Sequence, residues 1–158
     1  MAPAIVIADA SALISLRWVN QLSILPGLFG RVVMPPSAAA EATQRDLPLP
    51  SWVDVRPLGR APDPRVSAAR LGAGESEVLC IGLELPGALL ILDDGDARAL
   101  ARELGLRMLG TAACLVEAKR AHLLPAVRPV LDLLLAKSFR LSPKVYQLIL
   151  EAAGEGRG

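Results

Sequence analysis

The sequence predicts an α/β fold, a three-layer α/β/α sandwich with a mostly parallel central sheet. The main observation is that short β-branched runs alternate along the chain with segments whose apolar residues recur at helical spacing. The length of 158 residues fits one domain with one core. Hydrophobic residues make up 53% of the chain and aromatic residues only 3%, which indicates an aliphatic core. We therefore expect a single domain over residues 1–158.

The N-terminal quarter of the chain predicts two strand and helix pairs. Residues 4–9, AIVIAD, form a short β-branched run, and residues 10–22 place apolar side chains at helical spacing. The second strand, at 31–36, is stopped by two prolines. A proline and a serine then signal the start of a helix at 37–45.

The middle of the chain continues this alternation. A third strand at 52–58 is expected at a sheet edge because Pro57 closes it. The Pro- and Arg-rich stretch at 56–67 resembles a linker but is too short to separate domains. A helix at 72–85 begins after two glycines, and the apolar run at 87–94 predicts the fourth strand.

The C-terminal part of the chain is mostly helical. The helix at 95–105 has a glycine stop, and a short fifth strand follows at 106–111. Helices are then predicted at 112–124, 126–137 and 142–153, the last with a serine cap and a proline at its first helical position.

Composition excludes several classes of protein. The net charge of +1 gives no global basic field of the kind that marks a nucleic-acid binder, although a local basic rim would not appear in that sum. Cys80 and Cys114 lie in apolar helical patterns and are expected to be buried reduced thiols, without a disulfide framework. The N-terminus lacks a signal-peptide pattern and no apolar run reaches about 18 residues, so we expect a cytoplasmic protein.

Three aspartates stand at predicted strand ends. Asp9 closes the first strand, and Asp93 and Asp94 close the fourth. Ligands of open parallel sheets bind outside the carboxyl ends of the strands, so these acids meet if the two strands are neighbours. Two carboxylates about 4 Å apart repel by about 4 kcal/mol at an effective dielectric of about 20. Mg2+ or Mn2+ would relieve that repulsion with oxygen ligands alone, and His122, the only histidine, is expected to be an ordinary surface or helix-end residue.

Each remaining acid also has a purely structural interpretation. Asp94 or Asp96 can cap the helix that follows it, where the N-terminal amides favour aspartate. Glu75 and Glu77 lie in the first turn of their helix, where the same argument applies, and Glu41 alone is an ordinary solvated glutamate. The aspartate that closes the first strand does not stabilise the fold at that position unless it caps the next helix or binds a ligand.

Four motifs in this order resemble the PIN-domain nucleases, and most closely their toxin-like (VapC-type) branch. They are IADASALISL, VVMPPSAAAE, GESEVLCIGLEL and LLILDDGDARALARELGL. The resemblance extends through GTAACLVEAKRAHLLPAVRPVLDLL and covers about residue 4 to residue 152. It implies a compact α/β/α domain whose acids bind Mg2+ or Mn2+ and hydrolyse RNA.

The resemblance assigns roles to individual residues. It implies that Asp9, Glu41, Glu77 and Asp94 are the four catalytic, metal-binding acids. Ser11 matches a small hydroxyl residue that helps to orient the first aspartate or a metal-bound water.

Other positions near these acids have flanking or alternative roles within the motif. Asp93 and Asp96 flank the fourth acid and can contribute to the metal site through water. Glu75 and Glu77 are separated by about 200° around a helix, so only one of them can face the cleft. Glu77 is preferred because it leads the apolar helix face as in the family pattern, although the family often has aspartate at this position.

Basic residues near the acids are candidates for binding the RNA backbone. Arg98 follows Asp94 by one helical turn, and Lys119 and Arg120 lie on a later helix. A solvated helix face also explains these basic residues. Thr111, in LGTAA, matches the same branch, but a helix N-cap explains it equally well.

The resemblance further implies RNA as substrate, a cognate antitoxin protein as partner and a homodimer. The number of metal ions, one or two, stays open. A catalytically inactive PIN-like module that binds RNA or protein is the main alternative. Receiver domains and aspartate-nucleophile phosphotransferases also gather aspartates at strand ends, but the order of the acids in this chain fits them poorly.

Overall fold

The computed structural model describes residues 4–44 and 47–156. The strands are β1 (Val6–Ala8), β2 (Val32–Met34), β3 (Val53–Val55), β4 (Leu89–Ile91) and β5 (Arg107–Leu109). The helices are α1 (Ala10–Trp18), α2 (Ile24–Phe29), α3 (Pro36–Ala42), α4 (Pro64–Ala68), α5 (Ala73–Glu84), α6 (Gly95–Glu103), α7 (Thr111–Arg120), α8 (Arg128–Ala136) and α9 (Pro143–Ala152).

The five strands form one parallel sheet in the order β3-β2-β1-β4-β5. The prediction that β3 lies at an edge is confirmed. β1 and β4 are neighbours in register, with Ala8 opposite Ile91. The strand ends that carry Asp9 and Asp93 therefore lie side by side, as the sequence argument required.

The sheet is buried on both faces, and the predicted three layers are confirmed. Alternate residues of a strand point to opposite faces. Ile7 and Leu90 pack in the cluster that contains residues of α4, α5 and α6. Ala8 and Ile91 pack in the cluster that contains residues of α1, α2, α3, α7 and α8. Each cluster consists almost entirely of aliphatic side chains, in agreement with the composition.

Two short helices were not predicted. α2 contains Pro26, which is tolerated because it lies in the first turn, where a backbone N–H has no helical partner. α4 begins within the stretch interpreted as a linker, where Asp63 accepts a hydrogen bond from the Arg65 backbone N–H and caps the helix.

Several helix boundaries also differ from the prediction. α1 ends at Trp18, and α3 ends at Ala42; the predicted end of the latter helix, at Arg45, lies outside the described residues. α6 is followed by Gly105 at a φ of 71°, so the predicted glycine stop is confirmed. Across residues 4–44 and 47–156, no helix is both long and apolar enough to span a membrane.

Candidate metal centre

Asp9 occupies the junction between β1 and α1 and is 6% exposed. Its backbone N–H donates to the Ile91 carbonyl oxygen over 3.3 Å, which joins the end of β1 to the end of β4. The side chain stands at the N-cap position of α1 but makes no capping hydrogen bond. Its Oδ1 is buried and has no hydrogen-bond partner among the described residues. The structure thus excludes the cap as an explanation for this acid.

Burial raises the pKa of Asp9 from 3.8 to about 6. A backbone hydrogen bond from Ala10 lowers this pKa, whereas the negative charges of Glu75, Glu41 and Asp93 raise it further. These three acids come from separate elements and act on one buried carboxylate. The structure therefore gathers negative charge around Asp9, and no Lys or Arg of the part of the chain it describes forms an ion pair with this carboxylate.

Gly74, in the first turn of α5, allows this helix to approach Asp9 closely. A Cβ built at this position would lie 2.8 Å from Asp9 Oδ1 and 3.4 Å from Ala38 Cα. The unpartnered oxygen thus lies against a backbone position where a Cβ would force it to move. Sequence reasoning did not single out Gly74; its place in GAGES, directly before the acids, was the available signal.

Asp93 is held in a fixed orientation by two hydroxyl residues. Thr111 donates from its backbone N–H to Asp93 Oδ1 over 2.8 Å and from its hydroxyl to Oδ2 over 2.5 Å. The Ser11 hydroxyl lies 3.4 Å from the same Oδ2. Ser11 therefore orients Asp93 rather than Asp9. Gly110, not Thr111, stands at the N-cap position of α7, so the N-cap interpretation of Thr111 is wrong and its hydroxyl serves Asp93 instead.

Asp94 and Asp96 differ in their roles at the start of α6. Asp94 caps this helix, with its Oδ2 accepting from the Ala97 backbone N–H over 2.9 Å. Its charge also raises the pKa of Glu75, so Asp94 lies on the acidic side of the site. Asp96 is exposed in the first turn and contributes to the same shift more weakly. Asp94 therefore caps α6 and also adds negative charge to the acid cluster.

Glu75 and Glu77 point to different places, as their angular separation requires. Glu77 Oε1 accepts from the Ser37 backbone N–H over 2.9 Å and caps the start of α3. Glu75 accepts from the Gly72 backbone N–H over 3.2 Å, and burial together with Asp94 and Glu41 raises its pKa. The geometry thus brings Glu75 into the acid cluster, whereas the preferred candidate, Glu77, is occupied by a helix terminus.

Glu41 lies on the exposed side of α3 and, unlike Asp9, its side chain is open to solvent. Its charge acts on Asp9 and on Glu75. It also lines a cavity of about 380 Å³ together with Trp18 and Leu47. Glu41 is therefore the solvent-facing member of the cluster.

The predicted phosphate-binding residues fall into two groups. Arg98 lies near Asp93, with its Nη1 donating to the Leu92 carbonyl oxygen over 3.0 Å. Lys119 Nζ instead donates to the Ala153 carbonyl oxygen over 2.7 Å and contacts Glu155 at 3.0 Å.

Arg120 is engaged in the same way as Lys119. Its Nη1 donates to Glu117 over 2.7 Å. Both residues lie at the end of α7, about 12 Å along the helix axis from Thr111. Their place at the end of α7 opposite Thr111 separates them from the acids, and the C-terminal segment engages both side chains there.

The acids fit a hydrated hard cation better than a closed metal cage. Within the described ranges, no three His, Cys, Asp or Glu side chains form a group able to hold an ion by themselves. Mg2+ commonly keeps several waters and takes only one or two carboxylates besides substrate phosphates. The unpartnered Asp9 Oδ1 and the negative charge around it suit such an ion. The donor set is oxygen only, which also favours Mg2+ or Mn2+.

Comparison with known proteins identifies one related family. A family model for the PIN domain matches residues 5–155, which include every element from β1 to α9 and all the acids described above. No curated protein and no solved structure matches the chain significantly.

Proposed function

The chain belongs to the PIN-domain family, whose members are generally nucleases, and we propose that it is a metal-dependent endoribonuclease that hydrolyses RNA phosphodiester bonds. One observation carries the proposal. Asp9 is buried, carries an oxygen without a hydrogen-bond partner and is surrounded by further acids. An unpaired buried carboxylate lowers the stability of the fold, so its presence at the ligand-binding edge of the sheet indicates a bound cation.

At the carboxyl edge of the sheet, each acidic residue would have its own role. Asp9 and Asp94 would hold the ion, with Glu75 and Glu41 supporting the site from beside them. Asp93, fixed by Thr111, can orient a water at the ion. A bound Mg2+ or Mn2+ lowers the pKa of a coordinated water and offsets charge on the phosphoryl group.

Substrate binding would depend on Arg98, the basic residue beside the acid cluster. Arg98 keeps guanidinium nitrogens besides the one that donates to Leu92, and these can hold a backbone phosphate. Arg98 and Asp93 both lie close to Gly110, at the N-cap of α7, so a phosphate held by Arg98 would lie beside the acids. The resulting site binds an RNA backbone at the carboxyl edge of the sheet.

We also propose that the enzyme is the toxin of a toxin-antitoxin pair, located in the cytoplasm. The support is an apolar surface beside Glu41, where Trp18 is 46% exposed and Leu47 is 40% exposed. A cognate antitoxin bound there would cover the acids. Leu133 and Leu148, on α8 and α9, are each 52% exposed and suit a homodimer interface.

A catalytically inactive PIN-like binding module is the second candidate. Two observations favour it: Glu77 is used as a helix cap, and the described acids form no group that holds an ion by itself. Such a module would bind RNA or protein through the same edge of the sheet without cutting.

Cleavage of single-stranded RNA distinguishes the two candidates. We expect the wild-type protein to cut the RNA with Mg2+ or Mn2+ and to stop when EDTA is added. Asp9→Asn and Asp94→Asn should abolish cleavage while the proteins remain folded by circular dichroism. Asp54→Asn is a matched control, because Asp54 is an exposed acid paired with Arg31 on the edge strand β3. Undiminished cleavage in both Asp9→Asn and Asp94→Asn would refute the assignment.

A further inference from the structure

A cavity of about 310 Å³ opens directly beside the acid cluster. Asp93 forms part of its wall, together with Gly110 and Arg98. The opposite wall comes from the segment between α8 and α9, which supplies Phe139 and Arg140. Ligand pockets commonly start at about 300 Å³, so the cavity has room for a small planar group. A group bound there would be contiguous with the candidate metal centre through Asp93.

Two arginines line this cavity without forming an ion pair in the part of the chain that the structure describes. Neither Arg98 nor Arg140 has a carboxylate oxygen within 4.0 Å there, although Asp93 shares the cavity. Gly110 lets Arg98 and Asp93 approach, since a Cβ built on it would lie 3.2 Å from Arg98 Nη1 and 3.3 Å from Asp93 Oδ1. Both guanidinium groups therefore retain donors for an anionic ligand.

An aromatic side chain completes the wall. The chain has only five aromatic residues, two Phe, two Trp and one Tyr, and Phe139 is placed at this cavity. It is partly exposed and packs with its buried side against the core. Aromatic rings and guanidinium planes are the surfaces on which unstacked bases of single-stranded RNA bind.

We propose that this cavity binds the nucleotide next to the scissile phosphate, with its base against Phe139 and its phosphate held by Arg98 and Arg140. This inference rests on the proposed action on RNA, and it adds Phe139 and Arg140 as substrate-binding residues. The acids alone repel a phosphate chain, so a site of this composition would supply the attraction that the net charge of +1 does not.

Binding without cleavage tests the subsite separately from catalysis. The probe is a fluorescein-labelled single-stranded oligoribonucleotide of about 12 nucleotides, titrated with the full-length protein in EDTA and followed by fluorescence anisotropy. The variants are Arg140→Gln, Phe139→Leu and Phe139→Tyr. Arg60→Gln is the matched control, because Arg60 is an exposed arginine that donates to the Leu83 carbonyl oxygen near the far end of α5. Thermal melting checks that each variant is folded.

The variants should separate phosphate contact from stacking. We expect Arg140→Gln to weaken binding about tenfold and to reduce the slope of log affinity against log salt by about 0.7. Phe139→Leu should weaken binding about tenfold without changing the slope, and Phe139→Tyr should bind like the wild type. Arg60→Gln should change neither quantity.

The outcomes distinguish this inference from the proposed catalytic function. If the wild type cleaves RNA with Mg2+ but Arg140→Gln and Phe139→Leu bind like it, the nuclease proposal stands and the subsite is refuted. If the variants lose affinity as expected but the wild type does not cleave, the cavity binds RNA as inferred, while the nuclease proposal and the place of the cavity beside a scissile phosphate both fail. Equal losses in Phe139→Tyr and Phe139→Leu, or no RNA binding by the wild type, would also refute the subsite.

Discussion

Asp9 and Glu155 are two buried or half-buried carboxylates whose surroundings shift their pKa values in opposite directions. Glu155 accepts hydrogen bonds from the Val127 backbone N–H at 2.8 Å, the Arg128 backbone N–H at 3.1 Å and Lys119 Nζ at 3.0 Å. Burial alone would raise its pKa, but these hydrogen bonds hold the pKa of Glu155 below its ordinary value. Asp9 Oδ1 has no such partner, and the pKa of Asp9 is raised to about 6.

This difference indicates that Glu155 stabilises the fold, whereas Asp9 is available to bind a ligand. Glu155 caps the start of α8 and joins it to the C-terminal segment, so its charge is satisfied by the protein itself. At Asp9 the described residues supply burial and negative neighbours, and a single backbone donor, Ala10, that leaves Oδ1 without a partner. Because Oδ1 has no donor among residues 4–44 and 47–156, a proton or an external cation is needed to satisfy it. The contrast makes opposite predictions for the two residues.

Replacing each acid by its amide should give the largest effects. We expect Asp9→Asn to reduce cleavage at least about 1000-fold and, without metal at pH 8, to raise the melting temperature by about 5 °C, because a buried unpaired charge is removed. Glu155→Gln should leave cleavage unchanged and lower stability by about 1 to 2 kcal/mol through lost hydrogen bonds. Cleavage rates and melting curves of both variants measure this. Similar destabilisation by the two substitutions would contradict the proposed difference between Asp9 and Glu155.

The pH dependence of stability should differ between the two acids in sign. In EDTA, folded Asp9 keeps its proton up to about pH 6, whereas in the unfolded chain the ordinary pKa is 3.8. The folded state thus binds more protons, and stability falls by about 3 kcal/mol from this group as pH rises from about 4 to above 6. Glu155 acts the other way, stabilising above its ordinary pKa of 4.5 and losing that contribution as pH falls.

Urea unfolding at a series of pH values measures this prediction. The fall in stability between about pH 4 and pH 6 should be present in the wild type and in Glu155→Gln but clearly smaller in Asp9→Asn, where the raised pKa of Glu75 still contributes. A profile that is the same in Asp9→Asn and in the wild type would show that Asp9 is not the titrating group.

Adding one methyl group at Gly74 should disturb the site without changing any charge. The new Cβ would lie 2.8 Å from Asp9 Oδ1, so the carboxylate must move. A displacement of about 1 Å can cost about 100-fold in rate, and we expect a loss of that size in Gly74→Ala. Gly82→Ala is the matched control in the same helix, since its Cβ would meet the flexible Leu90 side chain at 2.9 Å. It should cost stability of about 1 to 2 kcal/mol but no activity; equal loss of cleavage in both variants would contradict the account.

The smallest effects should distinguish Glu75 from Glu77. We expect Glu75→Ala to reduce cleavage about tenfold, as for a residue that supports the metal. Glu77→Ala should keep most of the activity but lower stability by about 1 kcal/mol, because the Ser37 backbone N–H loses its acceptor. Rates and urea midpoints measured side by side test this. The reverse pattern would restore Glu77 as the third acid.

The sequence was sufficient for the features that depend on local pattern. The alternation of strands and helices predicted the parallel sheet, and Pro57 predicted an edge position for β3. The position of Asp9 and Asp93 directly after apolar runs predicted that both stand at strand ends, which neighbouring strands then bring together. These inferences use only short-range periodicity and the general geometry of parallel sheets.

The features that the sequence did not predict depend on long-range contacts. The choice between Glu75 and Glu77 depends on how α5 is rotated against α3, which the pairing of Glu77 with Ser37 reveals. Lys119 was predicted to bind phosphate, yet it is held by the C-terminal segment at Ala153, more than 30 residues later in the chain. No local pattern encodes either contact.

The central claim is that Asp9 is left unsatisfied by the protein because it binds a divalent cation. Calorimetric titration of Mn2+ into the metal-free protein tests it most directly, with the wild type, Asp9→Asn and Glu155→Gln measured under the same conditions. We predict saturable binding to the wild type and to Glu155→Gln, and none to Asp9→Asn. Absence of binding to the wild type at millimolar Mn2+, or undiminished binding to Asp9→Asn, would contradict the account.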